Sequence, residues 1–229
     1  MKTEISTRPA TIRMVARAAL RQPATGQTEH RKAKSPKRNA QGRWPVVVRV
    51  FDIETTNLNA DFGVVLCASV YEPEKDRLTT FSQRLLSPLW PESAMGDREV
   101  ITRLLASLQQ ADVLIAHNGT NFDLPFLRAR ARRLGIPWER EIPVLDPCLL
   151  ARRRFKLSGN SLSVLTQFFQ TRKKTPLVPE DWLRAALARD QKAMRRIEKH
   201  CEQDVLALSS LVPYFRGLWA QRISDGVFF

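Results

Sequence analysis

The chain has 229 residues, 43% of them hydrophobic, and carries a formal net charge of +14. This length suits one domain of ordinary size with a tail, and it is sufficient to bury a core. The longest apolar stretches fall far short of the roughly 20 residues that cross a bilayer, so we expect no membrane span and no membrane partner. The three cysteines lack paired or metal-type spacing, which argues against a disulfide framework or a zinc site and favours a reducing, cytoplasmic location.

Residues 1–44 are predicted to form a basic, disordered tail that precedes a folded domain over 45–229. The tail contains eleven Lys or Arg residues and two Glu residues, and its basic cluster lies at 31–38. Few aromatic residues interrupt it, although a short helix over 12–20 is an option. Such a tail can neutralise nucleic-acid phosphates. A solvated extension and an organelle address are the alternatives.

The pattern of the domain predicts an α/β fold. Strands are expected at 46–54, 63–72 and 77–86 as an antiparallel meander, followed by a helix over 97–110. A strand at 113–116, a helix over 123–134 and a strand at 142–146 come next, and the chain from 161 onward is mostly helical. Strands that alternate with helices indicate a mixed sheet covered by helices, with the first strand at its centre.

Two carboxylates, Asp52 and Glu54, end the first predicted strand. Because successive strand side chains alternate between faces, both acids share one face while Phe51 and Ile53 point to the other. Adjacent carboxylates repel unless a cation neutralises them, and Mg²⁺ prefers oxygen ligands. The pair therefore indicates a metal site, with two unrelated acids at a solvated strand end as the alternative.

Further acids follow in two later segments. Asp123 lies at a strand-to-helix junction, after an Asn-Gly turn. His200 and Asp204 are spaced i, i+4 in an amphipathic helix and so share a face. Asp146, after the last predicted strand, is interpreted as a helix N-cap, with a role beside the site as the alternative.

The ordered motifs Asp-x-Glu at 52–54, Asn-x-x-x-Phe-Asp at 118–123 and His-x-x-x-Asp at 200–204 resemble those of the DEDD family of 3′ to 5′ exonucleases, which have a ribonuclease H-like fold. Within that family the pattern is similar to predicted exonucleases related to the exonuclease domains of family B polymerases. The His spacing is that of the tyrosine branch, whereas the residue is that of the histidine branch, so the branch stays open. Asn57 replaces a Gly that many relatives carry.

The resemblance implies a two-metal hydrolysis of the 3′ end of single-stranded DNA or RNA, with DNA favoured. It implies that Mg²⁺ or Mn²⁺ ions are held by four carboxylates and that a histidine is the general base, and it places the terminal nucleotide against four further side chains. The implied ligands are Asp52, Glu54, Asp123 and Asp204, with Asp52 bridging both ions; the implied base is His200; the implied nucleotide contacts are Thr55, Thr56, Leu58 and Phe122.

Basic and aromatic residues near this region allow two interpretations each. The clusters at 152–156 and 172–174, expected on connecting segments, either track a phosphate backbone or are solvated surface. Trp138 and Trp182 are expected to serve as core or cover, with base stacking as the alternative. A non-catalytic nucleic-acid-binding module and an endonuclease on the same fold are the competing functions.

Overall fold

A computed structural model of the protein describes residues 46–86, 96–172 and 178–224. Its strands are β1 (Val48–Thr55), β2 (Val65–Glu72), β3 (Arg77–Ser82), β4 (Val113–Ile115) and β5 (Val144–Leu145). Within these ranges they form a five-stranded sheet in the order β3-β2-β1-β4-β5. Because β1 pairs antiparallel with β2 and parallel with β4, the sheet is mixed and β1 is central, as predicted.

Helices cover both faces of the sheet, which confirms the predicted layers. On one face, Phe51 and Ile53 of β1 pack against two helices; on the other, Val48 and Val50 pack against a long helix and two shorter ones. The helices of the described residues are α1 (Gln83–Leu86), α2 (Arg98–Leu108), α3 (Asp123–Leu134), α4 (Pro147–Arg154), α5 (Leu162–Phe168), α6 (Pro179–Ala186) and α7 (Gln191–Ser224). The two helices that cover Phe51 and Ile53 are α2 and α3. The long helix on the other face is α7, and the two shorter ones are α4 and α5.

The predicted strand at 77–86 is wrong in its second half, because β3 ends at Ser82 and a helical turn follows. Two buried polar contacts stop the strand. The Ser82 hydroxyl donates to Glu198 Oε1 at 2.5 Å, and Gln83 Nε2 donates to the Val65 carbonyl at 2.6 Å. These tertiary hydrogen bonds accompany the change from strand to helical turn at residue 83, which the local strand pattern does not predict.

Other predictions fall outside the description or need adjustment. The strand predicted at 142–146 is confined to β5, and helix α4 begins directly after Asp146, as the N-cap interpretation implies, although no bounds were predicted for this helix. The tail over 1–44 lies outside the described residues. All three cysteines lie inside the described ranges, as buried free thiols. Nowhere in those ranges is a helix long and apolar enough to cross a membrane.

A buried ion pair ties β2, α2 and α3 together. Arg130 of α3 donates to both carboxylate oxygens of Asp97, at 2.9 and 2.7 Å, and the same carboxylate accepts the Val65 amide of β2 at 3.1 Å. Asp97 directly precedes α2, and both partners are almost completely buried. The two guanidinium hydrogen bonds and the backbone amide together compensate the buried Asp97 carboxylate, and the carboxylate compensates the Arg130 charge.

We predict that Asp97→Asn lowers the free energy of unfolding by about 3 to 5 kcal/mol, because Arg130 would keep a buried and uncompensated charge. Urea unfolding measures the loss. The matched control is Glu99→Gln on the same helix, which breaks the exposed i, i+4 pair with Arg103 and should cost less than about 1 kcal/mol. Equal losses in the two variants would contradict a structural role for the buried pair.

Candidate active site

The candidate site lies at the carboxyl end of β1, where β1 extends past its parallel neighbour. β4 pairs with β1 only as far as Val50, opposite Ile115. Beyond that point the Ile53 amide donates a hydrogen bond to a side-chain oxygen, Asp123 Oδ1, at 3.2 Å. The shorter neighbour therefore leaves a position where the first residue of α3 can contact the central strand. The predicted proximity of Asp123 to the first motif is seen in the structure.

The loop between β4 and α3 is held in one shape by short-range constraints. Asn118 has a positive φ of 60°, a left-handed conformation that Asn adopts more readily than most residues. A Cβ on Gly119 would lie 2.2 Å from the Ala116 Cβ, so only glycine fits there. Asp146 accepts the amides of Asn118 at 2.9 Å and Thr120 at 3.1 Å. These contacts fix where Asp123 begins α3.

Asp146 is also the N-cap of helix α4. Its side chain caps α4, with its Oδ1 accepting the amides of Cys148 and Leu149. The N-cap interpretation is therefore confirmed. The contacts to the loop before Asp123 were not predicted, since nothing in the local pattern around residue 146 points to a segment 28 residues earlier.

Helix α7 brings the third motif to the same end of β1. His200 and Asp204 share one helix face, with His200 Nε2 3.7 Å from Asp204 Oδ2, as the i, i+4 spacing predicts. The same nitrogen lies 3.9 Å from Glu54 Oε1. Cys201 Sγ donates to the Asp52 carbonyl at 3.4 Å, which places α7 directly against β1. His200 and Asp204 are both about 95% buried.

One contact to the site was not predicted. The indole Nε1 of Trp182, in α6, donates to Glu54 Oε2 at 3.0 Å, and its ring lies edge-on to His200 with 6.2 Å between centroids. Trp182 was expected to be core or cover, and its ring is indeed partly buried between the sheet and α7. A partner 128 residues away from Glu54 leaves no signal in the sequence pattern.

Burial shapes the electrostatics of the site. It raises the pKa of Asp123 to about 7; the Ile53 amide and its own amide act in the opposite direction, and the charge of Asp146 adds to the rise. A carboxyl in this state holds a proton near neutral pH unless positive charge is nearby. A bound cation would supply that charge.

The donor set suits a hard divalent cation. In the described part of the chain, no group of three or more His, Cys, Asp or Glu side chains is already arranged around a common point. Asp123 accepts a backbone amide and Glu54 accepts an indole N–H. The oxygen chemistry of four carboxylates from three segments matches Mg²⁺ or Mn²⁺.

Of the predicted nucleotide-contacting residues, Thr55 ends β1, Thr56 and Leu58 lie on the loop that follows it, and Phe122 directly precedes α3. Thr55 Oγ1 donates to the Asn57 carbonyl at 2.8 Å, and Thr56 Oγ1 accepts the Val64 amide at 3.1 Å, so both close the loop. Leu58 is 78% exposed at its tip. Phe122 packs against the core, 5.8 Å from the ring of Phe126. Contact of these four residues with a nucleotide stays a prediction.

The loop also accommodates the replacement of Gly by Asn57. Its Oδ1 accepts the Asn59 amide at 2.9 Å, and the Asn59 carbonyl accepts the Gly63 amide at 2.8 Å. The turn therefore forms with Asn in place. Phe62, on the same loop, is 75% exposed and was not singled out from the sequence.

The two basic clusters were predicted on connecting segments, and the structure places the first of them in a helix. Arg152, Arg153 and Arg154 form the last turn of α4 and do not lie on a connecting segment. Arg172 does lie on a connection, and its Nη2 donates to Gln203 Oε1 of α7 at 3.1 Å. The rest of the second cluster, residues 173–174, lies outside the described residues. The basic side chains of the first cluster, at 152–154 and 156, are exposed.

A family model described as the RNase_H superfamily matches residues 50–215. The match covers most of the chain, from the third residue of β1 through β5 and into α7. The protein belongs to the RNase H superfamily.

Curated relatives are DNA polymerases of archaea. The chain is 33% identical over 101 residues to one from Thermococcus aggregans, covering 42% of this chain and 5% of the polymerase. It is 36% identical over 91 residues to one from Desulfurococcus sp., covering 38% and 12%. The structure of the family B DNA polymerase from Pyrobaculum calidifontis matches with a TM-score of 0.59 at 20% identity, over 80% of this chain and 28% of that one.

The chain thus corresponds to a small part of each polymerase that it matches. The structural match shows the shared fold. Together with the family match, the homology supports a nuclease-like function.

We predict that the stability of the metal-free protein falls as pH rises toward 7. The folded-state pKa of Asp123 lies above the unfolded value, so the stabilising neutral form is complete below about pH 4 and is lost as pH passes about 7. Thermal unfolding in EDTA from pH 5 to 8 measures the trend. Asp123→Asn, which cannot ionise, should flatten it, and an unchanged slope in that variant would contradict the assignment.

Proposed function

We propose that the protein is a 3′ to 5′ exonuclease that removes nucleotides from the 3′ end of single-stranded nucleic acid by two-metal hydrolysis. The observation that carries this proposal is the meeting of Glu54, Asp123 and the His200–Asp204 pair at one end of β1. Acids from three distant segments gain nothing by clustering in a buried region unless a cation joins them. Nearby Asp52 completes the set, on the same face of β1 as Glu54.

Asp52, Glu54, Asp123 and Asp204 would hold the Mg²⁺ or Mn²⁺ ions. When bound, such ions neutralise the carboxylates and stabilise negative charge that develops on the attacking and leaving oxygens. The protein's own contribution is to hold the acids in place: the Ile53 amide positions Asp123, and the Trp182 indole positions Glu54.

His200 is proposed to take the proton from the attacking water at Nε2. That nitrogen faces the carboxylates of Glu54 and Asp204 at 3.9 and 3.7 Å. Histidine suits this task because its ordinary pKa is near 6.5, so a neutral ring is available around neutral pH. The two carboxylates would stabilise the imidazolium that results.

The 3′-terminal nucleotide is proposed to lie against Thr55, Thr56, Leu58 and Phe122. Exposed Leu58 lies on the loop that follows the two acids of β1, so it can contact an incoming base. DNA is favoured over RNA, because the curated relatives are DNA polymerases. A binder without catalysis and an endonuclease are separated from this proposal by the assay below.

The proposed function predicts that Asp52→Ala and Asp204→Ala abolish hydrolysis and retain most single-strand binding, since backbone contacts come from other residues. The measurement uses 5′-labelled linear single strands and internally labelled circular single strands of matched DNA and RNA with Mg²⁺. Wild type should shorten the linear strand stepwise, spare the circle, and stop in EDTA until Mg²⁺ or Mn²⁺ is restored.

The control for this experiment is Glu141→Gln, an exposed acid paired with Arg128 away from β1, which should keep wild-type rates. Cleavage of the circle would indicate an endonuclease. Binding without any cleavage by the wild type would indicate a binding module. Full activity in either Asp→Ala variant would contradict the carboxylate assignment.

The general-base assignment predicts that His200→Gln lowers turnover by roughly 10² to 10⁴, because Gln keeps polar atoms at the position but cannot accept the proton. Single-turnover rates at saturating strand measure the loss, and equilibrium binding of the strand should change little. Gln109→Ala on the far surface serves as the control. An active Gln variant would leave proton removal to the metal ions alone.

A further inference from the structure

Trp182 makes a directional contact with a proposed metal ligand. Its Nε1 donates to Glu54 Oε2 at 3.0 Å, while the other oxygen, Oε1, faces His200 Nε2 at 3.9 Å. The two oxygens of one carboxylate therefore point to two different side chains. A carboxylate with one oxygen held in this way can rotate less freely about its last bond.

The position of Trp182 is built into the packing of α6. The preceding residue, Asp181, is buried and accepts from Arg196 of α7 through Nε at 2.9 Å and through a second guanidinium nitrogen. Arg184 of α6 also pairs with Asp190, just before α7, at 2.7 Å. These two ion pairs fix α6 on the helix that carries His200. Helix α7 therefore carries the proposed base and also holds α6, with its Trp182 indole, in position.

The chemistry of the donor matters for a cation site. An indole N–H donates one hydrogen bond and carries no charge. It orients the carboxylate without cancelling the negative charge that attracts the cation, whereas a Lys or Arg at the same place would compete with the metal. The ring also lies edge-on to His200, so it packs against the base as well as the ligand.

We propose that Trp182 is a positioning residue, which holds the Glu54 carboxylate in the orientation that binds the catalytic divalent cation. This inference rests on the proposed function. It adds a residue from outside the three sequence motifs, and it gives α6 a role in the reaction. Loss of such a supporting contact around a metal site lowers metal affinity or activity by roughly 10- to 100-fold.

The test compares Trp182→Phe with Trp138→Phe in the full chain. Phe keeps an aromatic ring beside His200 and removes the N–H donor together with part of the indole volume, and Trp138→Phe removes the same volume. Trp138 lies under Arg128, 5.2 Å from its guanidinium, and is partly buried against the other face of the sheet, which makes it a matched control. Mn²⁺ binding is measured from the free-ion electron paramagnetic resonance signal, alongside the Mg²⁺ dependence of hydrolysis.

We expect Trp182→Phe to weaken Mn²⁺ binding by roughly 10-fold or more and to raise the half-maximal Mg²⁺ concentration similarly. The loss of thermal stability in EDTA should be similar to that of Trp138→Phe, because both variants lose the same side-chain volume from a partly buried position. Trp182→His, which restores a ring N–H, should recover part of the affinity.

The outcomes separate the inference from the function on which it rests. Wild-type Mn²⁺ affinity in Trp182→Phe, in a protein whose wild type binds Mn²⁺ and hydrolyses DNA, would overturn the positioning role alone. A loss of affinity that His does not relieve and that tracks a loss of thermal stability would also overturn it, in favour of simple packing. A wild type that neither binds Mn²⁺ nor hydrolyses nucleic acid would overturn the proposed function first, and the inference with it.

Discussion

Burial of carboxylates at the carboxyl end of β1 is the constraint around which this structure is arranged. Asp123 and Asp204 are both about 96% removed from solvent, and such acids are costly unless donors or cations compensate them. The central strand supplies one donor because it extends past β4 and leaves the Ile53 amide to Asp123. Helix α6 supplies another through the Trp182 indole. Both donors are uncharged, so they orient the acids without adding a positive charge that would compete with a bound cation.

Two other buried acids, which hold separate elements together, are each paired with an arginine. Asp97 meets the Arg130 guanidinium in a bidentate pair, and Glu198 of α7 meets Arg84 at 2.7 Å and also accepts the Ser82 hydroxyl. Each of these carboxylates has a cationic partner from a different element, so its charge is balanced inside the protein. These ion pairs hold separate elements together, so the acids in them have a structural role.

What the sequence predicts well is what short-range geometry decides. Alternation along a strand places Asp52 and Glu54 on one face, and helical spacing places His200 beside Asp204; both depend on residues two to four positions apart. The extent of β3 and the contact to Trp182 depend on partners far along the chain. Gln83 leaves the strand because the Val65 carbonyl accepts its amide, a choice that no local pattern encodes.

The packing beside residue 200 suits a histidine, although the spacing of this residue to Asp204 resembles that of the tyrosine branch. The edge of the Trp182 ring occupies the space beside the imidazole, with 6.2 Å between ring centroids, and Trp182 is fixed there through its neighbour Asp181, which is paired with Arg196. A longer phenol at residue 200 would have to displace that ring and, with it, the indole donor to Glu54. Histidine and Trp182 therefore fit as a pair: the shorter ring leaves room for the indole, and the indole in turn orients the carboxylate that faces the histidine.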